Sequence, residues 1–143
     1  MSAEDEVRHA SNAFYAALNR MAKGEAGAMT AIWAHDAGVT ALHPIGGRDL
    51  GWSNVGGSFD RVAGLASGGD VRLTDQHIQQ SGDLAYEVGI EVGTLTLGGL
   101  TAPLEHRVTN IYRREAEGWK VVHHHADLSP AMLDVLARLQ AKA

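Results

Sequence analysis

Cysteine is absent from this 143-residue chain, which removes disulfide staples, thiol nucleophiles and thiolate metal ligands together. Apolar runs are short, and none approaches the roughly 20 consecutive residues needed to cross a bilayer, so no membrane partner is expected. Basic residues are few and scattered, 12 Lys and Arg against 17 Asp and Glu, and the formal charge of −5 leaves no cationic run to follow a phosphate backbone. Nucleic acid is therefore not an expected partner. The opening "MSAEDEVRHA" is acidic and polar where an export signal is basic and then apolar, which points to a cytoplasmic location. Low-complexity tracts, repeats and linker-like stretches are also missing. Residues 1–143 read as a single domain, long enough to bury roughly two-thirds of the surface the unfolded chain exposes.

What is present is a change of period along the chain. Val7, Ala10, Phe14, Leu18 and Met21 recur at helical spacing behind Ser2 and the acids Glu4, Asp5 and Glu6, which suit a helix N-terminus. A shorter helical stretch is expected over Ala26–His35, followed by the extended "DAGVTALHPIGG" with its Pro-Gly loop. Trp52, Val55, Phe59, Val62 and Leu65 form a third helical stripe, although Gly56 and Gly57 lower its propensity by roughly 1 kcal/mol each. After "SGGD" the pattern alternates with period two. "VRLTDQHIQQS", "LAYEVGIEVGTLTL" and "TAPLEHRVTNIYRRE" read as strands joined at Gly82-Asp83 and Gly98-Gly99, and "REAEGW" turns into a last strand, Trp119–Ala126. Ser129 and Pro130 then open a closing helix bearing Met132, Val135, Leu136 and Leu139. Helices followed by an antiparallel meander make an α+β architecture.

Strict alternation places Trp119, Val121, His123 and His125 on one face of the last strand and Lys120, Val122 and His124 on the other. On the preceding strand Glu105, Arg107, Thr109 and Ile111 oppose His106, Val108, Asn110 and Tyr112. Hairpin pairing can bring Arg107 near His123 and His125 if the register permits, and alternation alone leaves open whether that face meets the helices or another subunit. Two histidines at i, i+2 have a spacing that metal sites use, and His43 would complete a set of three. Arg107 beside them would repel a cation, so no metal or other cofactor is assigned.

The layout, with "AFYAALN", "DAGVTALHPIGG" and "RVTNIYRREAEGWKVVHHH", resembles the nuclear transport factor 2-like superfamily, in particular SnoaL-like and ketosteroid-isomerase-like domains. The resemblance covers nearly the whole chain. It implies a cone: a strongly curved antiparallel sheet wrapped around N-terminal helices, with a pocket inside and a homodimer formed through the outer sheet face. In ketosteroid isomerases the base precedes a proline-glycine loop, and His43 stands at that position; an imidazole with an ordinary pKa of about 6.5 suits base chemistry. The isomerase tyrosine of the first helix falls on Phe14, with Tyr15 one step along, and its protonated aspartate falls at or near Arg107, so steroid isomerisation itself is disfavoured. The second half is similar to the association domain of calcium/calmodulin-dependent kinase II, whose pocket arginine would correspond to Arg107 and whose alternate histidines to His123 and His125.

These resemblances imply a pocket for a small-molecule ligand, of anionic character if Arg107 clamps it, with Tyr15, Trp33, Trp52, Phe59, Arg107, His123 and His125 as ligand-binding candidates. His43 is the candidate base, with Arg107, His123 and His125 stabilising negative charge. Three classes of function stay open: an isomerase, cyclase or hydratase moving protons on a carbonyl or carboxylate-bearing substrate; non-catalytic binding of a small anionic metabolite; and an oligomerisation module with a vestigial pocket.

Overall fold

A computed structural model describes residues 1–142. Helix α1 (Ala3–Ala22) begins at a capping box: the Ser2 hydroxyl accepts from the Asp5 amide while the Asp5 carboxylate accepts from the Ser2 amide. Val7, Ser11, Phe14, Tyr15, Leu18 and Met21 share its buried face. The helix expected over Ala26–His35 is instead a run of turns, in which Gly27 has a positive φ and Trp33 bridges to Val121. Strands β1 (Thr40–Leu42) and β2 (Arg48–Leu50) flank the Pro44–Gly47 loop, and helix α2 (Trp52–Leu65) follows. The glycine at position 56 has a packing reason: a Cβ there would come within 3.0 Å of the Trp52 ring.

Strands β3 (Ala66–Ser81), β4 (Leu84–Leu97), β5 (Leu100–Glu115) and β6 (Gly118–Ala126) precede helix α3 (Pro130–Ala141), which is capped by Ser129. The "SGG" expected to precede β3 belongs to that strand. The six strands lie in the order β2-β1-β6-β5-β4-β3. All pairs are antiparallel except β1 with β6, which run parallel. A bulge at Asp75 (φ 54°) and a close backbone approach at Gly93 (φ 139°), where any Cβ would run into the Asp70 carbonyl oxygen, bend the β3–β4 pair. The sheet curls around α1 and α2, α3 packs on β5, and the core lies between. No helix among the described residues is long and apolar enough to cross a membrane.

Candidate functional site

The phase of the last strand decides which histidines face inward. Tyr112 of β5 pairs with Val121, but Ile111 pairs with His123, so Val122 is an extra residue opposite a continuous β5. That bulge reverses the alternation beyond it. Trp119 and Val121 point inward before it, His124 and Ala126 after it. His123 and His125, expected to line the pocket, therefore lie outside the inner cavity, and His125 borders an outer hollow with Arg107 instead. His125 is exposed, and half-buried His123 engages the Thr40 hydroxyl at 2.6 Å. Arg107 likewise points outward, its side chain 83% exposed, and pairs with Asp127 through Nε at 2.7 Å and Nη2 at 3.3 Å. The alternation on β5 holds, but its inner phase carries His106 and Asn110 rather than Arg107.

The concave face holds a polar network that the outer face lacks. Glu91, fully buried on β4, accepts from the Tyr15 hydroxyl at 2.8 Å and from His106 Nε2 at 2.7 Å. Burial alone would raise its pKa, yet the His106 hydrogen bond, the nearby His124 and His106 rings and the Tyr15 hydroxyl outweigh it and hold the carboxyl below its ordinary value. His106 Nδ1, buried, has no partner. Asn110 donates from Nδ2 to Glu87 Oε1 at 3.0 Å and to the Tyr15 oxygen at 3.2 Å, so its Oδ1 is left to accept from His124 Nδ1–H at 2.6 Å. That arrangement fixes the His124 tautomer and leaves the lone pair on Nε2. Burial pushes the His124 pKa down to about 4; Glu91 opposes the shift, while His43, His106 and His123 add to it. Glu87 also accepts from Tyr112 and Gln76. Burial beside these carboxylates raises both phenols well above their usual pKa, so Tyr15 and Tyr112 stay protonated donors.

A second histidine–carboxylate pair sits nearer the surface. His43, between β1 and the Pro44–Gly47 loop, donates Nε2–H to Asp49 Oδ2 at 2.8 Å. Ser58 donates to the same oxygen, and Arg61 donates to Ser58 at 2.8 Å. Burial lowers the His43 pKa, Asp49 counteracts through hydrogen bond and charge, and Arg61 adds to the lowering, with a net value below the ordinary one.

His43, His106, His124 and Glu91 all border one cavity of about 60 Å³, whose other walls are mainly apolar, Phe59 and Met132 among them. The His43 and His124 ring centres are 6.3 Å apart, and Phe59 meets His43 edge-on at 5.2 Å. Of the expected aromatic wall, only Phe59 borders this cavity. Trp33 packs beneath α2 against Phe59 and Trp52, Trp52 stacks on His35 at 4.3 Å, and Tyr15 stands one hydrogen bond behind Glu91. Glu91, His106, Asn110 and His124 were not singled out from sequence as site residues. The available signal was the apolar run Leu95, Leu97, Ala102, Leu104 and Val108 in the same phase as Glu91 and His106. Among the described residues no group of three or more His, Asp or Glu side chains converges closely enough to hold a metal ion.

Residues 7–132 match the family model of a SnoaL-like domain. A protein of the NTF2-like family from Streptomyces avermitilis, provisionally described as a dehydratase, is similar at 28% identity, over 87% of this chain and 94% of that one, with a TM-score of 0.77. A protein from Thiobacillus denitrificans, provisionally described as a calcium/calmodulin-dependent protein kinase type II association domain, is 33% identical over 85% of this chain and 93% of that one, with a TM-score of 0.70. A ketosteroid-isomerase-like protein from Shewanella frigidimarina, 18% identical over 85% of this chain and 94% of that one, shares the fold with a TM-score of 0.67. No curated protein matches this chain.

Proposed function

Because this chain belongs to the SnoaL-like family, we propose that its cavity carries out proton transfer on a small carbonyl compound, as an isomerase or dehydratase does. The observation that carries this reading is that His43, held by Asp49 from behind, and the His106–Glu91 pair border one cavity. His43 is the base. With Nε2–H committed to Asp49, its Nδ1 carries the lone pair, and Asp49 stabilises the imidazolium that forms when Nδ1 takes a proton from carbon. His124 is the weaker candidate, because a ring whose pKa is held at about 4 resists protonation. It positions the substrate as a hydrogen-bond acceptor.

Negative charge then develops on the carbonyl oxygen. A His106 that carries a proton on Nδ1 as well as on Nε2 forms an imidazolium–carboxylate pair with Glu91, and its otherwise unpartnered Nδ1–H donates to that oxygen. Return of the proton to another carbon completes an isomerisation; its delivery to a leaving hydroxyl completes a dehydration. The reacting end of the substrate is neutral, since the cavity walls are mainly apolar and Arg107 is turned away. The homodimer implied by the resemblance would pair through the outer face, where half-exposed Tyr86 and partly covered Val88, Ile90 and Ile111 leave an apolar stripe.

The test is deuterium uptake at the carbons flanking the carbonyl of 2-butanone, followed by NMR in D2O. The protein should accelerate exchange above buffer, and His43→Gln should lower the rate by about 10²–10⁴-fold. No acceleration by the unaltered protein, or an unchanged rate in the variant, removes the proposal.

A further inference from the structure

A second hollow adjoins the interior cavity at His43. A groove of about 460 Å³ runs outward between the Pro44–Gly47 loop, α2 and α3, and shares His43, Ile45, Ser58 and Val62 with the inner cavity. One wall of the groove is apolar, made by Leu65, Leu97 and Leu136, and Arg61 is the cation of its lining. Seven other arginines pair with carboxylates, among them Arg20 with Glu25, Arg107 with Asp127, Arg113 with Asp36 and Glu115, and Arg138 with Asp134; Arg48, which has no such pair among the described residues, does not line the groove. Arg61 is exposed, and its hydrogen bond runs to the neutral Ser58 hydroxyl. Asp49 also lines the groove, but its Oδ2 already accepts from both His43 and Ser58.

Size and charge point the same way. The inner cavity, about 60 Å³, has room on the order of a handful of water molecules, enough for a carbonyl head and little more. From inside to outside, a molecule meets a mainly apolar cavity first, then the His43 ring with Asp49 behind it, then an apolar wall facing a guanidinium. That gradient orients an elongated molecule with its neutral end inward and a negative end outward.

We propose that the groove is the subsite for the far end of the substrate: a carbonyl compound whose head enters the inner cavity and whose short apolar chain ends in a carboxylate held by Arg61. This rests on the proton-transfer reading for the identity of the head alone. Arg61 offers a planar fork suited to a carboxylate, and the three leucines cover the chain between. An anion-binding element is thus retained in this fold, but at the mouth and on α2 rather than at Arg107.

The experiment compares binding of 5-oxohexanoate and 2-hexanone, which share a methyl-ketone head and differ in the carboxylate, by calorimetry at pH 7. The unaltered protein should prefer 5-oxohexanoate by about tenfold or more, the scale of one charge-assisted contact. Arg61→Ala should bring the ratio to about one by weakening 5-oxohexanoate alone, and Arg61→Lys should restore part of the preference. Unchanged 2-hexanone binding in Arg61→Ala verifies that the His43–Asp49 pair and the fold survive. No preference in the unaltered protein, binding of neither probe, or a preference that persists in Arg61→Ala overturns the subsite. Exchange at the flanking carbons of 2-hexanone, measured in parallel, separates the two proposals: its absence with an Arg61-dependent preference removes proton transfer and leaves the subsite standing.

Discussion

Two consecutive histidines of β6 occupy opposite environments. His124 is 3% exposed, hydrogen-bonded to Asn110 and pushed down to about 4, while His125 lies on the outer face with its ring centre 6.2 Å from that of His123. The same division separates His106, bound to buried Glu91, from Arg107, bound to exposed Asp127. Residue type does not assign a role here. The local register does, and the extra residue at Val122 sets that register for the end of the strand. The inner face consequently carries a closed polar network around a small cavity, and the outer face carries partly exposed apolar and charged side chains.

The largest expected effect comes from opening the inner network. Glu91→Ala should cost about 3–5 kcal/mol in denaturant unfolding, because it strands the Tyr15 hydroxyl and His106 in the interior; a cost under about 1 kcal/mol would mean that the network is not closed.

The pH response is somewhat smaller and has a definite sign. In the unfolded chain histidine takes up a proton near 6.5, whereas buried His124 resists until about 4. The unfolded state therefore binds more protons across that window. His124's contribution is complete above pH 6.5 and is lost as pH falls towards 4, amounting to roughly 3 kcal/mol. Glu91, with its pKa below the ordinary carboxyl value, adds a loss of the same sign at lower pH. Unfolding free energies at pH 7, 5.5 and 4.5 should fall in that order, and His124→Asn, which keeps a donor near Asn110, should flatten the trend. At the small end, Arg107→Ala should shift the melting temperature by no more than about 1 °C, as for an exposed ion pair, and leave exchange on 2-butanone unchanged. A large effect on exchange would return Arg107 to the site.

Much of the fold was readable in the amino-acid pattern. The stripe Val7 to Met21, the Ser2 cap, the strand alternation and the Ser129-Pro130 start of α3 all correspond to observed elements. Ala26–His35 misled because its apolar residues lie at helical spacing while Gly24 and Gly27 adopt positive φ and break the run into turns. The site was harder to read because alternation identifies two faces without saying which is inside. On β4 the outer face carries Tyr86, Val88, Ile90 and Val92 and the inner one carries Glu87 and Glu91, the reverse of the usual polarity. His43 was reachable, since a loop histidine before proline keeps its place whatever the strand phase. His124 was not, because nothing in "WKVVHHH" marks Val122 as the extra residue.

The most direct measurement is a pH titration of the imidazole nitrogens of ¹⁵N-histidine-labelled protein, observed through long-range ¹H–¹⁵N correlations. His124 should appear as the neutral Nδ1–H tautomer and remain neutral down to about pH 4. A His124 that carries its proton on Nε2, or that titrates near 6.5 as a solvent-exposed histidine does, would contradict an inward-facing ring locked to Asn110 and with it the cavity built around it.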